Sequence, residues 1–295
     1  MVFNFNKCLT AVLLAVALLS VAYTFETRKT NSYADTATYT GGDIVSYNMC
    51  LIGNSAETLT FPLITKDTVT SLELKNLSGG AKSHITSSLS FDPSDYITYN
   101  EYNIYNFSIT FRNKDAYNNG YSLTIPKMTL SINDEDYSYK TPSLSFCNDT
   151  YISNNYEYRV NSDDLVVIDT NTAYYTIPTS DNLASFTMLA NKDVTIMNIK
   201  PLDYFTINDL AINGSPTEAE NVYMKLRKEN KFKATYSLSY NDYTYSNKIL
   251  KSSIIIKYKV NDTYCIYISN APLYVFPGYS KNYAMERYIF GLTIL

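Results

Sequence analysis

His84 is the only histidine in the chain, so any histidine-dependent nucleophilic triad would have to be built on it. It follows Gly79-Gly80-Ala81-Lys82-Ser83, with no Gly-x-Ser-x-Gly elbow and no reactive-cysteine motif beside it. A histidine in that setting is expected to be a solvated loop residue. The same shortage excludes zinc centres of the usual histidine and cysteine kinds. Carboxylates are the remaining abundant reactive groups, and they gather at turns: Asp92 with Asp95, Asn133-Asp134-Glu135-Asp136, and Asp163-Asp164. Paired acids serve a glycosidase when they face each other across a cleft with aromatic platforms. Acids in turns lack that setting, and the expectation is that the chain is not an enzyme. Hard oxygens close in sequence suit calcium, so Asp134, Glu135 and Asp136 form the candidate metal site, and calcium is the one cofactor the sequence offers. None of these runs has EF-hand spacing. The competing reading is that the acids favour turns and keep strand edges from pairing.

Of four cysteines, Cys8 precedes the apolar opening segment, which leaves Cys50, Cys147 and Cys265. Cys50 and Cys147 bracket one domain-sized stretch and would staple it in an oxidising compartment, with Cys265 left over. Three small buried hydrophobes is the alternative. No two cysteines have the close spacing of a metal knuckle. Asn-x-Ser/Thr occurs at Asn76, Asn106, Asn148, Asn213 and Asn261. Asn76, Asn148, Asn213 and Asn261 are the candidate glycosylation sites, while Asn106 falls inside a predicted strand. The 30 tyrosines invite a sugar-stacking reading, but the absence of tryptophan counts against a dedicated carbohydrate module, and most tyrosines fall on the inward side of strands. A net charge of −4 excludes nucleic acid as a partner, because that needs a basic footprint.

These groups must be positioned by strands. Tyr105, Phe107, Ile109 and Phe111 alternate with polar residues, as do Tyr236, Leu238 and Tyr240, and as do Ile254, Ile256, Tyr258 and Val260; each reads as a strand with one wet face. Asn133-Asp134 and Asn261-Asp262 supply turns that close two hairpins. The landmarks recur in order. Asp43-Ile44-Val45 is echoed by Asp164-Leu165-Val166, Phe61 by Phe186, and Lys66-Asp67 by Lys192-Asp193. Residues 69–75 are echoed by 194–200, Asp92–Asp95 by Ser215–Glu218, Phe107–Phe111 by Tyr236–Tyr240, and Ile132–Asp134 by Val260–Asp262. Repeats of that length are domains rather than solenoid units. The expected fold is all-β: two tandem duplicated β-sandwich domains, immunoglobulin-like or jelly-roll-like, with one short crossover helix in the second. That helix is predicted from Ser215 to Asn230, on the cap Ser215, Pro216 at the first position, Glu218, and the apolar spacing of Ala219, Val222, Tyr223 and Leu226. In the first domain Asp92–Asp95 is expected to make only a helical turn. The expected boundaries are 1–22 secretory signal, 23–42 flexible lead-in, 43–148 first sandwich, 149–160 linker, 161–283 second sandwich and 284–295 apolar tail or strand.

Leu9 to Ala22 is an almost unbroken apolar run after Lys7, and it ends in Ser20-Val21-Ala22. The run is short for a membrane span and its small residues suit cleavage after Ala22; the alternative is an uncleaved anchor, the only membrane contact expected. Thr24-Phe25-Glu26-Thr27, a polar spacer and then Thr38-Tyr39-Thr40-Gly41-Gly42-Asp43-Ile44-Val45 resemble the opening of TasA/camelysin-type secreted proteins. The resemblance implies a jelly-roll-like subunit that assembles into extracellular fibres by giving its amino-terminal segment as a strand to the next copy. The chain differs in lacking the Gly-Gly-Thr before cleavage and in carrying two domains. The function expected is therefore a secreted or surface structural protein, displayed on a cell or virion and associating with itself. The alternative is an adhesin, lectin-like module or viral surface glycoprotein that contacts a host protein or glycan through its loops.

Overall fold

Alternating hydrophobicity becomes strand almost everywhere in the computed structural model, which describes residues 45–99, 102–114, 119–156, 158–161, 163–171, 175–176, 183–245 and 248–276. The predicted signal 1–22, lead-in 23–42 and tail 284–295 lie outside the described residues. The described residues fall in one compact unit, Tyr39–Leu295. The first seven strands are β1 (Val45–Leu51), β2 (Ala56–Thr65), β3 (Leu72–Leu77), β4 (Ile85–Tyr99), β5 (Tyr102–Asn113), β6 (Ser122–Ile132) and β7 (Glu135–Asn148). Helix α1 (Asp149–Tyr156) follows. Then come β8 (Arg159–Val160), β9 (Leu165–Asn171), β10 (Tyr175–Thr176), β11 (Ala184–Ala190), β12 (Val194–Pro201) and β13 (Phe205–Ile212). The last five are β14 (Ser215–Pro216), β15 (Met224–Leu226), β16 (Lys231–Tyr240), β17 (Ile249–Val260) and β18 (Thr263–Phe276).

The duplication is visible in the pairing. In the first half β2-β5-β4 form a three-stranded sheet, and β3-β6-β7 lie on the facing one. In the second half β11-β16-β13 and β12-β17-β18 repeat both orders. Each pair of sheets closes on its own aromatic core. The echoed residues Phe61 and Phe107 pack at 5.4 Å between ring centroids, and their counterparts Phe186 and Tyr236 at 5.9 Å. Each such buried ring contributes roughly 2–3 kcal/mol of transfer free energy. The two hairpin turns fall as expected. Asn133 and Asp134 adopt φ of 50° and 69°, and Asn261 a φ of 50°, left-handed conformations that Asn and Asp tolerate.

One strand breaks the symmetry. β9 pairs with β11, but its echo β1 runs parallel to both β7 and β17, merging the two half-sheets into a single ten-stranded sheet. β17 therefore sits in a sheet interior with both faces covered. Ile254, Ile256 and Tyr258 point into the second core, and Ile255 packs with Ile266 and Ile268 under α1 and Tyr158. The wet face expected for this strand is thus restricted to Lys257 and beyond.

The helix predicted from Ser215 to Asn230 is absent, and its residues are extended or in turns. Asn213 (φ 51°) and Gly214 (φ 81°) turn the chain back so that Ser215-Pro216 pair with Ile212 and Ala211. The amide of Val222 then donates to the Met197 carbonyl (3.0 Å), the Ala219 carbonyl accepts from Ile199 (2.8 Å), and Met224–Leu226 pair with β12. Those groups are committed to a neighbouring strand and cannot close helical turns. Tyr223 and Glu229, at φ of 44° and 67°, are likewise outside the right-handed helix. Asp92–Asp95 forms no helical turn either, but a bulge that shifts the β4 register between Phe91 and Tyr96. Among the described residues the one α-helix lies instead in the stretch expected to be a linker. Asn148 caps it, its Oδ1 accepting from the Tyr151 amide at 2.9 Å.

Asp164, 1% exposed, ties the second half together. Its carboxylate accepts from the Asn161 side-chain Nδ2 (2.7 Å) and the Tyr258 hydroxyl (3.1 Å) and pairs with the Lys192 ammonium (2.7 Å). Asp164 hydrogen bonding and charge hold Lys192 above the usual lysine range.

Candidate functional site

The two edges of the β2-β5-β4 sheet are finished differently. At β2 the carbonyls of Thr60 and Pro62 accept hydrogen bonds from Tyr47 (2.5 Å) and Tyr139 (2.9 Å), whose rings stand on the facing sheet. That edge is closed from within the core. At the other edge β4 pairs with β5 along one side and with no strand on the other, among the described residues. Ile85, Leu89 and Phe91 anchor β4 by turning toward the core, while Thr86, Ser88 and Ser90 are exposed. Past the bulge, Tyr96 and Ile97 are 45% and 53% exposed. The bulge itself carries Asp92, Pro93 and Asp95. The Asp92 carboxylate accepts from the Ser94 hydroxyl (2.7 Å) and amide (2.9 Å), which hold it below the usual carboxylate range. Charge, proline and a bulge are the devices that stop an edge from pairing indiscriminately. Here they cover its middle and leave two arms, Ile85–Phe91 and Tyr96–Tyr99, unpaired on that side among the described residues.

The acidic turn does not converge on a point. Glu135 and Asp136 are consecutive residues of β7 and project to opposite sides. Glu135 accepts from the Tyr137 hydroxyl (2.6 Å), and the neighbouring Asn133 carboxamide serves Thr70 (2.8 Å). Among the described residues no group of three acids, histidines or cysteines is arranged to hold a metal ion. Asp163 and Asp164 also diverge, the first exposed and the second buried.

Cys50 and Cys147 are brought together. They are register partners on the parallel strands β1 and β7, both are thiols, and the Cys147 sulfur also approaches the Met49 carbonyl at 3.8 Å. Hydrogen bonding to Cys147, then burial, pushes the Cys50 thiol well above its usual range. Cys265 is a buried thiol elsewhere in the fold. Among the glycosylation candidates, Asn76, Asn213 and Asn261 are exposed. Asn148 is not: it is fully buried, its Oδ1 holds the amides of Tyr121 and Tyr151, and its Nδ2 donates to the Asn119 carbonyl. A glycan there would require that network to open. His84 is exposed and stacks on Tyr121 at 4.9 Å, as a loop histidine would.

A surface cavity of about 770 Å³ carries Asp209, Glu218 and Glu220. Its acids are exposed, Asp209 accepts from the Ser237 hydroxyl (2.7 Å) and Glu218 from Asn221 (3.3 Å). This is a solvated hollow with its acids open to water.

No family model and no curated protein matches the chain. Solved structures similar to it include domains 5-6 of the S-layer protein SbsC, at 13% identity over 83% of this chain and 98% of that one, with a TM-score of 0.19. The C-terminal domain of the AgI/II polypeptide BspA from Streptococcus agalactiae matches at 7% identity over 77% and 95%, also at 0.19. The secreted serine protease VesC from Vibrio cholerae matches at 8% over 66% of this chain and 49% of that one, again at 0.19. Superpositions this loose carry nothing over to this chain.

One cluster has only a faint signature in the sequence. Lys200, Lys257 and Lys259 meet Tyr156, Tyr158 and Tyr264 only because β12, β17, β18 and α1 share one face of the large sheet. No run of neighbouring residues announces it. The one available signal was the switch from isoleucine to lysine on the outward side of β17.

Proposed function

We propose that the chain is a non-catalytic extracellular surface protein that assembles with copies of itself by strand addition at β4. The observation that supports this reading is the partly guarded edge of β4, unpaired among the described residues, set against the tyrosine-sealed edge of β2. The donor is residues 23–42 of the next copy, a segment longer than β4 whose Thr36, Thr38 and Thr40 alternate with Ala37 and Tyr39. The apolar opening 9–22 supports export, and the resemblance to TasA/camelysin-type openings supports donation from the amino-terminal side.

Negative-stain electron microscopy of the purified full chain, beside a version lacking residues 23–42 and an Ile97→Lys variant, tests it. Filaments are expected from the full chain only, because the deletion removes the donor and the lysine places a charge on the receiving arm. Monomers under every condition, or filaments indifferent to both changes, would sink the reading.

A further inference from the structure

The outward side of the large sheet carries an unbroken run of lysine and tyrosine contacts. The Lys200 ammonium lies 4.7 Å from the centroid of Tyr156, and the Lys257 ammonium lies 5.0 Å from Tyr156 and 5.0 Å from Tyr158. Tyr158 stacks on Tyr264 at 5.5 Å with 26° between the planes, and Lys259 sits 5.4 Å from Tyr264. The two ammonium groups on Tyr156 can be no farther apart than the sum of their distances to its ring. Like charges at that range repel unless something negative sits between them.

Among the described residues the lysines of this run meet few carboxylates. Lys259 pairs with Asp262 at 3.2 Å, but among the described residues neither Lys200 nor Lys257 has a carboxylate partner. Burial, then the charge of Lys200, pushes Lys257 below the usual lysine range. Two partly buried lysines on one ring, without a carboxylate partner among the described residues, carry an energetic cost that an arriving anion would relieve.

Tyr156 is also part of the wall of a cavity of about 450 Å³ beneath α1. Asn48, Ser122, Tyr151 and Asn155 line it too, which provides amide and hydroxyl groups in one concavity. Asn155 spends its Nδ2 on the Tyr151 carbonyl (2.9 Å) and Asn48 its Nδ2 on Asp203 (3.2 Å), so the carboxamide oxygens are the acceptors left to a ligand. The cavity falls in the size range of small-ligand sites.

We propose that this lysine–tyrosine ladder and the adjoining cavity bind an anionic saccharide, a chain of sugar rings bearing carboxylate or sulfate groups. Three features of such a ligand match three features of the site. Tyrosine faces stack against the apolar face of a pyranose, the ammonium groups pair with its charges, and the cavity amides and hydroxyls meet its hydroxyls. Single-stranded nucleic acid also stacks and is anionic, and an oligonucleotide is therefore one arm of the test. The site lies on the large sheet, away from β4, and is independent of assembly.

Isothermal titration of the full chain with polygalacturonate, dextran sulfate and neutral dextran of matched length tests it, with the carboxylate and sulfate arms separating the two charge chemistries. Binding of at least one anionic polymer is expected, tenfold or more tighter than dextran. The double variant Lys200→Met/Lys257→Met is expected to lose at least tenfold while keeping the wild-type melting temperature. Tyr156→Ala is expected to weaken binding, and Tyr156→Phe to restore it. Absence of binding to both polyanions, affinity unchanged in the double variant, or equal affinity for neutral dextran would overturn the proposal. So would equally tight binding of a single-stranded oligonucleotide or of phosphatidylglycerol vesicles.

Discussion

Oxidation of Cys50 and Cys147 is the perturbation whose size follows most directly from the fold. The two residues are partners in the β1–β7 register, and neighbouring strands run about 4.8 Å apart. That separation falls inside the Cα range of about 4.4–6.8 Å that a disulfide spans. Exchange with oxidised glutathione would join the two sulfurs and release two molecules of reduced glutathione, so the bond costs the sheet no rearrangement of its register. The closed loop runs from Cys50 to Cys147, nearly the whole first sandwich. Chain entropy for a loop near 100 residues amounts to about 4.7 kcal/mol, and at about 2–4 °C per kcal/mol in a chain of this size the melting temperature should rise by roughly 10–20 °C. Because both sulfurs are buried in the folded chain, the bond should form during refolding in a glutathione buffer and only slowly after folding. The assay is refolding with and without oxidant, followed by thiol titration in guanidinium and differential scanning calorimetry. A Cys50→Ala variant serves as control. Oxidised protein that still shows every thiol, or that has lost two thiols yet melts with the reduced form, would refute the reasoning.

Asp164→Asn should cost about 3 kcal/mol, because it removes the charge from two hydrogen bonds made in a buried site, lowering the melting temperature by about 6–12 °C. Lys192→Met should cost about 1–3 kcal/mol, since the ammonium, although 58% exposed, pairs with a carboxylate that is 2% exposed and would be left without its counter-charge; urea unfolding of both variants checks it. Stability should fall at alkaline pH. Burial holds Tyr258, Tyr121, Tyr267 and Cys265 above their usual ranges, and Cys50 is raised as well. A raised folded pKa means a contribution that is complete below the unfolded value and lost above it, so the decline should start near pH 8.5 with the cysteines and steepen above about 10 with the tyrosines. Melting temperatures from pH 7 to 11 measure it, and a flat profile through pH 10.5 would contradict the burial of these groups. Gly79→Ala should destabilise by roughly 2 kcal/mol or more: Gly79 has a φ of 74°, and an added Cβ would fall 2.3 Å from the Thr124 carbonyl oxygen. Denaturant unfolding of that variant should therefore show a lower midpoint.

Much of the fold was legible because alternation and repetition are local signals. The pairs Phe61 with Phe107 and Phe186 with Tyr236 occupy matching places in two cores, as the echoed sequence implied. The predicted helix failed for a tertiary reason. Ser215, Pro216 and Glu218 do resemble a helix start, but Asn213-Gly214 just before them makes a tight turn, and the amides that follow are taken by β12. Spacing cannot reveal which strand will claim an amide. Likewise nothing in Val45–Leu51 indicates that β1 crosses to a different sheet from its echo β9. Cys50 and Cys147, which bracket a domain-sized stretch of sequence, meet as register partners on β1 and β7 and are free thiols, whereas Glu135 and Asp136, neighbours in sequence, point apart on a strand. The lysine–tyrosine run left only a faint trace, since its members come from four elements.

The register of the large sheet also sets a geometry of display. Val45, where β1 begins, is level with Ile249, and Val275, near the close of β18, is level with Leu250. The described chain thus enters and leaves this sheet at the same end, two strand widths or about 10 Å apart. Lys257 stands eight residues up β17 from Ile249, about 27 Å away along the strand. The lysine and tyrosine side chains therefore stand on the part of this sheet remote from both Val45 and Val275, so a ligand held there would leave the strand ends on that side uncovered.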